Sequence, residues 1–272
     1  MTAVAPEPHR VAWREHETAD AVTLGMIPHS GRRAAFAAGQ FNMLYAFAVG
    51  EVAISISGSP IEEGPLIHTI RDVGAVSHAL TSLQVGDTLG VRGPFGTGWG
   101  LESARGRDLV VVAGGIGLAP LRGAIDQVIG QRSRFGNVEI VIGARTAADL
   151  AFRADIEAWR RRGDIEVHVT VDRATDDWRG TVGVVTAVLP RLRIDPAAIA
   201  MICGPEVMMR FTAAALLEKG LAAANIRVSM ERNMQCATAQ CGHCQFGSAF
   251  ICADGPVLPW ERVAPLLAVR EL

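Results

Sequence analysis

Residues 108–130 read DLVVVAGGIGLAPLRGAIDQVIG. An apolar run from Leu109 to Ala113 meets two glycines, a third at Gly117, and then an apolar-periodic stretch with Pro120 near its start. A short apolar run without alternation is the pattern of a strand covered on both faces. Proline suits the first turn of a helix. The stretch therefore reads strand, glycine turn, helix. The plan recurs downstream. VEIVIG (138–143) precedes a helical stretch, DLAFRADIEAWRRRG (149–163), and IEVHVTVD (165–172) is a further strand. AIAMICGPEVMMRFTAAALLEKG (198–220) gives strand, Gly-Pro turn and helix again, and IRVSMER (226–232) reads as the final strand. Such alternation predicts a parallel sheet of βαβ units.

Upstream the pattern differs. From Val11 to about Leu101, short apolar runs are separated by Gly and Pro, as in VAISIS (52–57), LIHTIRDVG (66–74) and DTLGVRGPFG (87–96). These predict antiparallel strands closing into a small barrel. Residues 1–10 read as a loose tail. Beyond about residue 230 the chain turns rich in Cys, Gly and Gln and loses periodicity. A segment like that builds little core and calls for a covalent or metal staple.

Composition narrows the function. Among 272 residues, 26 Lys and Arg stand against 28 Asp and Glu, a net charge of −2. No basic excess exists to neutralise a phosphate backbone, which argues against nucleic acid as a partner. At 49% hydrophobic and 20% charged residues, general disorder is excluded. The most apolar early stretch, 34–50, contains Gln40 and Asn42 and is no membrane span. MTAVAPEPHR lacks the basic and apolar regions of a secretory signal, so a soluble, cytoplasmic protein is expected.

Four of the five cysteines cluster as C-x4-C-x2-C-x7-C: Cys236, Cys241, Cys244 and Cys252. The first three match the plant-type [2Fe–2S] spacing. A tight loop, CATAQCGHC, would turn three thiolates inward, and the fourth cysteine would close the cage. Two other readings stay open. A structural zinc site usually brings two close pairs, and only one C-x2-C is present. CGHC alone could be a redox dithiol, although that role needs an early position in a thioredoxin-like unit. The expected fold class is thus a β barrel over 11–103, an α/β parallel-sheet domain over 104–229, and a small C-terminal iron–sulfur segment over 230–272.

In an open α/β sheet, ligands bind outside the carboxyl ends of the strands. Three turns fall there: Gly114-Gly115-Ile116-Gly117, Gly143-Ala144-Arg145-Thr146, and Cys203-Gly204-Pro205. Glycines let a backbone approach a pyrophosphate, and a helix N-terminus favours its charge. The same glycines also suit a plain tight turn. Cys203, apart from the cluster, is equally a small buried hydrophobe.

A strand-rich first half, GGIGLAP, CGPEVMM and a C-terminal cysteine loop together resemble the ferredoxin–NADP reductase superfamily. Within it, SMERNMQCATAQCGHCQFGSAFICADGPV (229–257) is similar to the γ subunits of cytoplasmic NiFe hydrogenases of the sulfhydrogenase type, and more distantly to electron-transfer subunits of dihydroorotate dehydrogenase. The resemblance implies FAD in the barrel, with the flavin motif on Val52-Ala53-Ile54-Ser55. Val52 replaces the arginine that usually meets the pyrophosphate, leaving its charge to Arg71 or backbone N–H groups, and Ile54 replaces an aromatic residue. A second flavin segment falls on His68, Thr69, Ile70, Gly74, Val76 and Ser77. For NAD(P)H, the resemblance implies Gly114, Gly115 and Gly117 at the pyrophosphate, and Arg145, Thr146 and Asp172 at the adenosine ribose. It places Cys203, with Gly204 and Pro205, and Glu231 near the nicotinamide. Ala237 and Ala239 stand where the family commonly has glycine, a strain if φ is positive there.

A hydride carries two electrons, an iron–sulfur cluster takes one at a time, and a flavin handles both. The resemblance therefore implies a path from NAD(P)H through FAD and a [2Fe–2S] cluster to a partner. With four thiolates committed, only Cys203 is left, so a nickel–iron centre would sit on other chains. The implied partners are the catalytic and small subunits of a NiFe hydrogenase and a further iron–sulfur subunit. A dihydroorotate dehydrogenase partner or a stand-alone reductase is the enzymatic alternative. A zinc-stapled binding module on a degenerate nucleotide fold is the non-enzymatic one.

Overall fold

The structure, a computed structural model, describes residues 5–269. Its first half is a six-stranded antiparallel sheet: β1 (Glu7–His16), β2 (Ala21–Pro28), β3 (Phe41–Ala46), β4 (Gly50–Ser55), β5 (Leu66–Arg71) and β6 (Thr88–Phe95). The order β4-β3-β6-β1-β2-β5 leaves β4 and β5 as edges. A bridge between Ile56 and His68, with Ser57 N–H donating to Ile67 O at 2.9 Å, draws these edges together. Val11, Leu24, Met26, Leu44, Ile70 and Leu89 fill the interior, and α1 (Ala75–Thr81) packs on β3, β4 and β5.

The expected loose tail is corrected from residue 7 onward. Glu7–Arg10 pair with Val91–Thr88, and His9 is buried. Prolines 6 and 8 hide the strand from a sequence reading. Gly90 makes it possible, since a Cβ there would meet Pro6 Cβ at 2.6 Å.

The second half is the expected parallel sheet, with β7 (Leu109–Gly114), β8 (Val138–Ala144), β9 (Glu166–Val171), the short β10 (Thr181–Val182), β11 (Ile199–Cys203) and β12 (Ile226–Ser229). Alternate residues of β7 face opposite layers. Leu109, Val111 and Ala113 pack beneath α2 (Ala119–Gly130), while Val110 and Val112 join Met209, Ala213 and Leu216 of α4 (Glu206–Glu218). α3 (Arg153–Arg160) follows β8 and contributes Ile156 and Trp159 to the α2 layer.

IRVSMER is not the outermost strand. Pairing along β12 ends at Ser229, and the sheet gains an antiparallel edge strand from the C-terminal segment, β15 (Val257–Pro259). That segment also forms a hairpin, β13 (Gln245–Phe246) and β14 (Ala249–Phe250), then α5 (Ile251–Asp254) and α6 (Trp260–Leu267). It borrows a core rather than building one. Phe246, Ile251, Trp260 and Val263 enter the cluster shared by β11, β12 and α4. Among the described residues, no helix is long and apolar enough to cross a membrane.

Candidate functional site

The sheet order β10-β9-β8-β7-β11-β12-β15 reverses direction between β7 and β11. A ligand crevice is expected outside the carboxyl ends of that pair. The turns after both strands meet there, and the structure gives their glycines different tasks. A Cβ on Gly114 would lie 2.4 Å from Met208 Sδ, and one on Gly117 would lie 2.5 Å from Cys203 O. Gly204, at φ +156°, would strike Met208 Cε at 2.8 Å and Gly114 Cα at 3.0 Å. These three let the two turns pack together. The fourth glycine of these turns, Gly115, is open: its φ is +56° and a Cβ would meet nothing within 4 Å. The backbone there turns through a 3-10 stretch, Gly115–Leu118, into α2, with Pro120 in the first turn. Unpaired N–H groups at such a start are donors for an anion.

Cys203 closes β11 at the same edge. Burial pushes its thiol up to about 12, and the nearby Glu231 carboxylate adds to the effect, against hydrogen bonds from Ser229 and Gly204. Cys203 is therefore a neutral thiol near neutrality, beside an exposed Glu231. One strand over, Asp172 N–H donates to Ala144 O and Arg173 N–H to Arg145 O, each at 2.9 Å. Arg145 and Asp172 are thus neighbours on the exposed rim. The Thr146 hydroxyl donates to Asp149 at 2.7 Å and so caps its own turn.

In the barrel, Val52 and Ile54 pack against the interior cluster, whereas Ala53 packs on the opposite face, among residues shared with the cysteine segment. His68 is fully buried. Asn42 Nδ2 donates to its Nε2 at 3.0 Å, so its Nδ1–H donates to Ser55 O at 2.9 Å. Burial lowers its pKa to about 3, and the ring is neutral. Its side chain thus closes the barrel instead of facing the crevice. Thr69 joins a buried hydroxyl chain with Thr23 and Ser57, each at 2.9 Å, and Ile70 is core. Thr23 donates to Glu17, whose other oxygen accepts Phe152 N–H at 2.7 Å from the α/β half. Ser77 Oγ accepts from Val73 and Gly74 N–H and donates to Gly74 O at 3.0 Å, so its proton stays within the turn. Gly74 is open, with nothing within 4 Å of a Cβ, and Val76 packs on the barrel interior. Arg71 lies 3.7 Å from Asp20 at the surface.

The cysteine loop is an array of N–H donors around sulfur. Thr238, Gln240 and Cys241 N–H point at Cys236 Sγ at 3.3–3.4 Å, and Ala239 N–H points at Cys252 Sγ at 3.2 Å. Cys252 N–H reaches Cys244 Sγ at 3.5 Å. Left-handed residues produce this array: Ala237 at φ 60°, Ala239 at 57° and Gly242 at 81°. Alternating handedness makes successive N–H groups converge in a concave nest. For alanine it costs about 1–2 kcal/mol per residue. Burial pushes the Cys236 thiol up, but the three N–H groups outweigh it and bring it down to about 6. Cys252 is pushed up to about 12, first by burial and then by Cys244.

By these contacts the cysteines fall into two pairs: Cys241 N–H faces Cys236 Sγ, and Cys252 N–H faces Cys244 Sγ. Among the described residues, no three His, Cys, Asp or Glu side chains converge on one point that would hold a single ion.

Sequence reasoning missed Arg92 and Glu51. Arg92 holds Glu51 through two hydrogen bonds, 2.8 and 2.5 Å, and donates to the carbonyls of Gln235 at 3.2 Å and Cys236 at 3.4 Å. No local signal marks contacts that span 41 and 144 residues.

Residues 111–214 match the family model of the oxidoreductase NAD-binding domain. The chain is 35% identical over 240 residues to the sulfhydrogenase 1 gamma subunit of Pyrococcus furiosus, covering 86% of this chain and 82% of that one. It is also 35% identical over 237 residues to a probable dihydroorotate dehydrogenase B electron transfer subunit of Methanothermobacter thermautotrophicus, covering 86% and 80%. Among solved structures, an NADH-dependent reduced ferredoxin–NADP oxidoreductase superposes with a TM-score of 0.76 at 24% identity, covering 97% of this chain and 94% of that one. A ferredoxin–NADP+ reductase from Neisseria gonorrhoeae superposes with a TM-score of 0.69 at 24% identity, covering 83% and 98%. The chain belongs to the family that holds the sulfhydrogenase gamma subunits and the dihydroorotate dehydrogenase electron-transfer subunits, has the ferredoxin–NADP reductase-like fold, and is an NAD(P)H-dependent oxidoreductase.

Proposed function

We propose that the chain is the diaphorase subunit of a NiFe hydrogenase complex, exchanging electrons between NAD(P)H and its partner subunits. FAD would lie at the barrel, and a [2Fe–2S] cluster would be held by Cys236, Cys241, Cys244 and Cys252. When bound, these groups convert two-electron hydride chemistry into single-electron transfer. The observation that carries the reading is the cysteine loop, with paired thiols ringed by backbone N–H groups and packed on the face that bears Ala53.

The chain's own residues bind and position. Gly115 leaves the α2 entrance open to a dinucleotide pyrophosphate. Arg145 and Asp172 give the rim both signs of charge, a cation for a 2′-phosphate and a carboxylate for ribose hydroxyls. Cys203 and His68 are both held neutral and supply no proton or base near pH 7. Hydride transfer requires neither. With valine at position 52, charge on the flavin diphosphate falls to Arg71 or to the N–H groups that open α1, since the Val73 and Gly74 N–H groups already donate to Ser77.

Anaerobic purification from the native host tests the reading. Flavin absorption, about two irons per chain and co-purifying hydrogenase subunits are expected. A dihydroorotate dehydrogenase in their place would select the alternative. Zinc in place of iron would reject both.

A further inference from the structure

Arg92 lies on β6, and its side chain is 10% exposed. It pairs across the sheet with Met43, which pairs in turn with Ala53, so the three form one row over β6, β3 and β4. Glu51, two residues before Ala53, faces the same way. The guanidinium sits 5.7 Å from the Phe95 ring centroid, which with the Glu51 fork fixes its plane. Its remaining donors reach the carbonyls of Gln235 and Cys236, immediately before strained Ala237. A planar fork can hold a carboxylate through two bonds and donate to two carbonyls as well, whereas an ammonium has only three donors.

We propose that Arg92 is a positioning residue for the cysteine loop: it clamps Gln235 and Cys236 to the barrel strands that carry Glu51 and Ala53, and its charge, balanced by Glu51, sets how readily the metal site at Cys236 accepts an electron. The inference rests on the reading of the loop as a [2Fe–2S] site. A buried cation beside a redox centre favours the more negative, reduced state, and a buried anion opposes it. Arg92 and Glu51 therefore act with opposite sign on the site.

The test is a reductive titration of the holoprotein, followed by electron paramagnetic resonance, for wild type, Arg92→Gln, Glu51→Gln and Arg92→Lys. Arg92→Gln leaves Glu51 uncompensated, and the reduction equilibrium falls about tenfold, which is about 59 mV for one electron. Glu51→Gln leaves Arg92 uncompensated and raises it by a similar factor. Arg92→Lys keeps the charge and stays near wild type in potential, while hydrogen exchange of amides 235–241 quickens about tenfold through loss of the fork. Mere loosening of the loop would move both glutamine variants the same way. If Arg92→Gln fails to load iron, Glu51→Gln carries the test alone, and its potential must rise. A normal wild-type signal with parallel or absent shifts overturns the inference and leaves the cluster reading intact. A wild type without a two-iron signal overturns both.

Discussion

The glycine turn after β7 and the cysteine loop after β12 do similar work by different means. Each bends the backbone so that N–H groups converge, on cysteine sulfur in the loop and on the pyrophosphate of the proposed function in the turn. The turn needs a left-handed residue at 115 and uses glycine, whose Cβ position is empty space. The loop needs left-handed residues at 237 and 239 and uses alanine. Ala237 is 3% exposed and Ala239 packs on the same core. A buried methyl returns about 0.8 kcal/mol, which offsets part of the strain. Glycine stands where the proposed dinucleotide would approach from outside. Alanine is tolerated where the loop must also be held against the body of the protein. The sulfurs differ in the same sense: three N–H groups bring Cys236 down to about 6, whereas burial leaves Cys203 at about 12.

The largest effect expected is loss of the metal site. Cys236→Ser should leave less than about a tenth of the wild-type iron, because a site with one thiolate missing loses both charge and geometry, while flavin content is unchanged. Iron analysis beside flavin absorbance reads this, and retained iron would break the assignment of the loop. Next comes thiol reactivity in iron-depleted protein. At pH 7 a thiol of pKa about 6 is ~90% thiolate, and one of pKa about 12 is ~10⁻⁵ thiolate. The weaker intrinsic nucleophilicity of the low-pKa thiolate gives back about three powers of ten. Cys236 should therefore alkylate about 100-fold faster than Cys203, and its rate should fall as pH drops below about 6. Peptide mass spectrometry against time distinguishes the two, and comparable rates would contradict the contrast.

Two glycine substitutions sharpen the division of labour within the turn. Gly117→Ala places a Cβ 2.5 Å from Cys203 O and 2.7 Å from Gly204 N, all backbone. Overpacking of that kind costs about 1–3 kcal/mol, so Tm should fall by about 2–4 °C per kcal/mol. Gly115→Ala meets no atom and loses only about 1 kcal/mol to strain. Its main effect should be on KM for NAD(P)H. If the two variants change Tm and KM alike, the glycines are not divided between packing and ligand approach.

Much of this was legible in the sequence where the signal is local. The runs at 108–113, 138–143 and 198–203 are buried strands because apolar side chains must cover both faces of a parallel sheet, and the structure has β7, β8 and β11 there, while 165–172 forms the half-buried β9. The cysteine spacing is equally local. What stayed hidden depends on distant partners. β15 is three residues long and exists because β12 offers it an edge. Residues 7–10 become a strand only opposite β6. The Thr69 and Ser77 hydroxyls look available in sequence, but Thr23 and Gly74 occupy them. Ala237 and Ala239 were recognisable as replacements for glycine, while their positive φ became visible only in three dimensions.

The smallest expected effect probes that strain directly. Ala239→Gly removes a left-handed penalty of about 1–2 kcal/mol, but glycine adds about 0.5–1 kcal/mol of unfolded-state entropy, and the methyl's packing is lost. At the midpoints of these ranges the net should be a stabilisation of about 0.5 kcal/mol. The same substitution at 237 sacrifices a more deeply buried methyl and should come out neutral or slightly destabilising. Denaturant midpoints of the two variants therefore separate strain from packing, with Ala239→Gly above Ala237→Gly. If both stabilise by more than about 1 kcal/mol, the methyls contribute nothing, and the loop is simply a glycine nest in which alanine is tolerated. If both destabilise by that much, packing outweighs backbone strain, and these alanines hold the cysteine loop against the core.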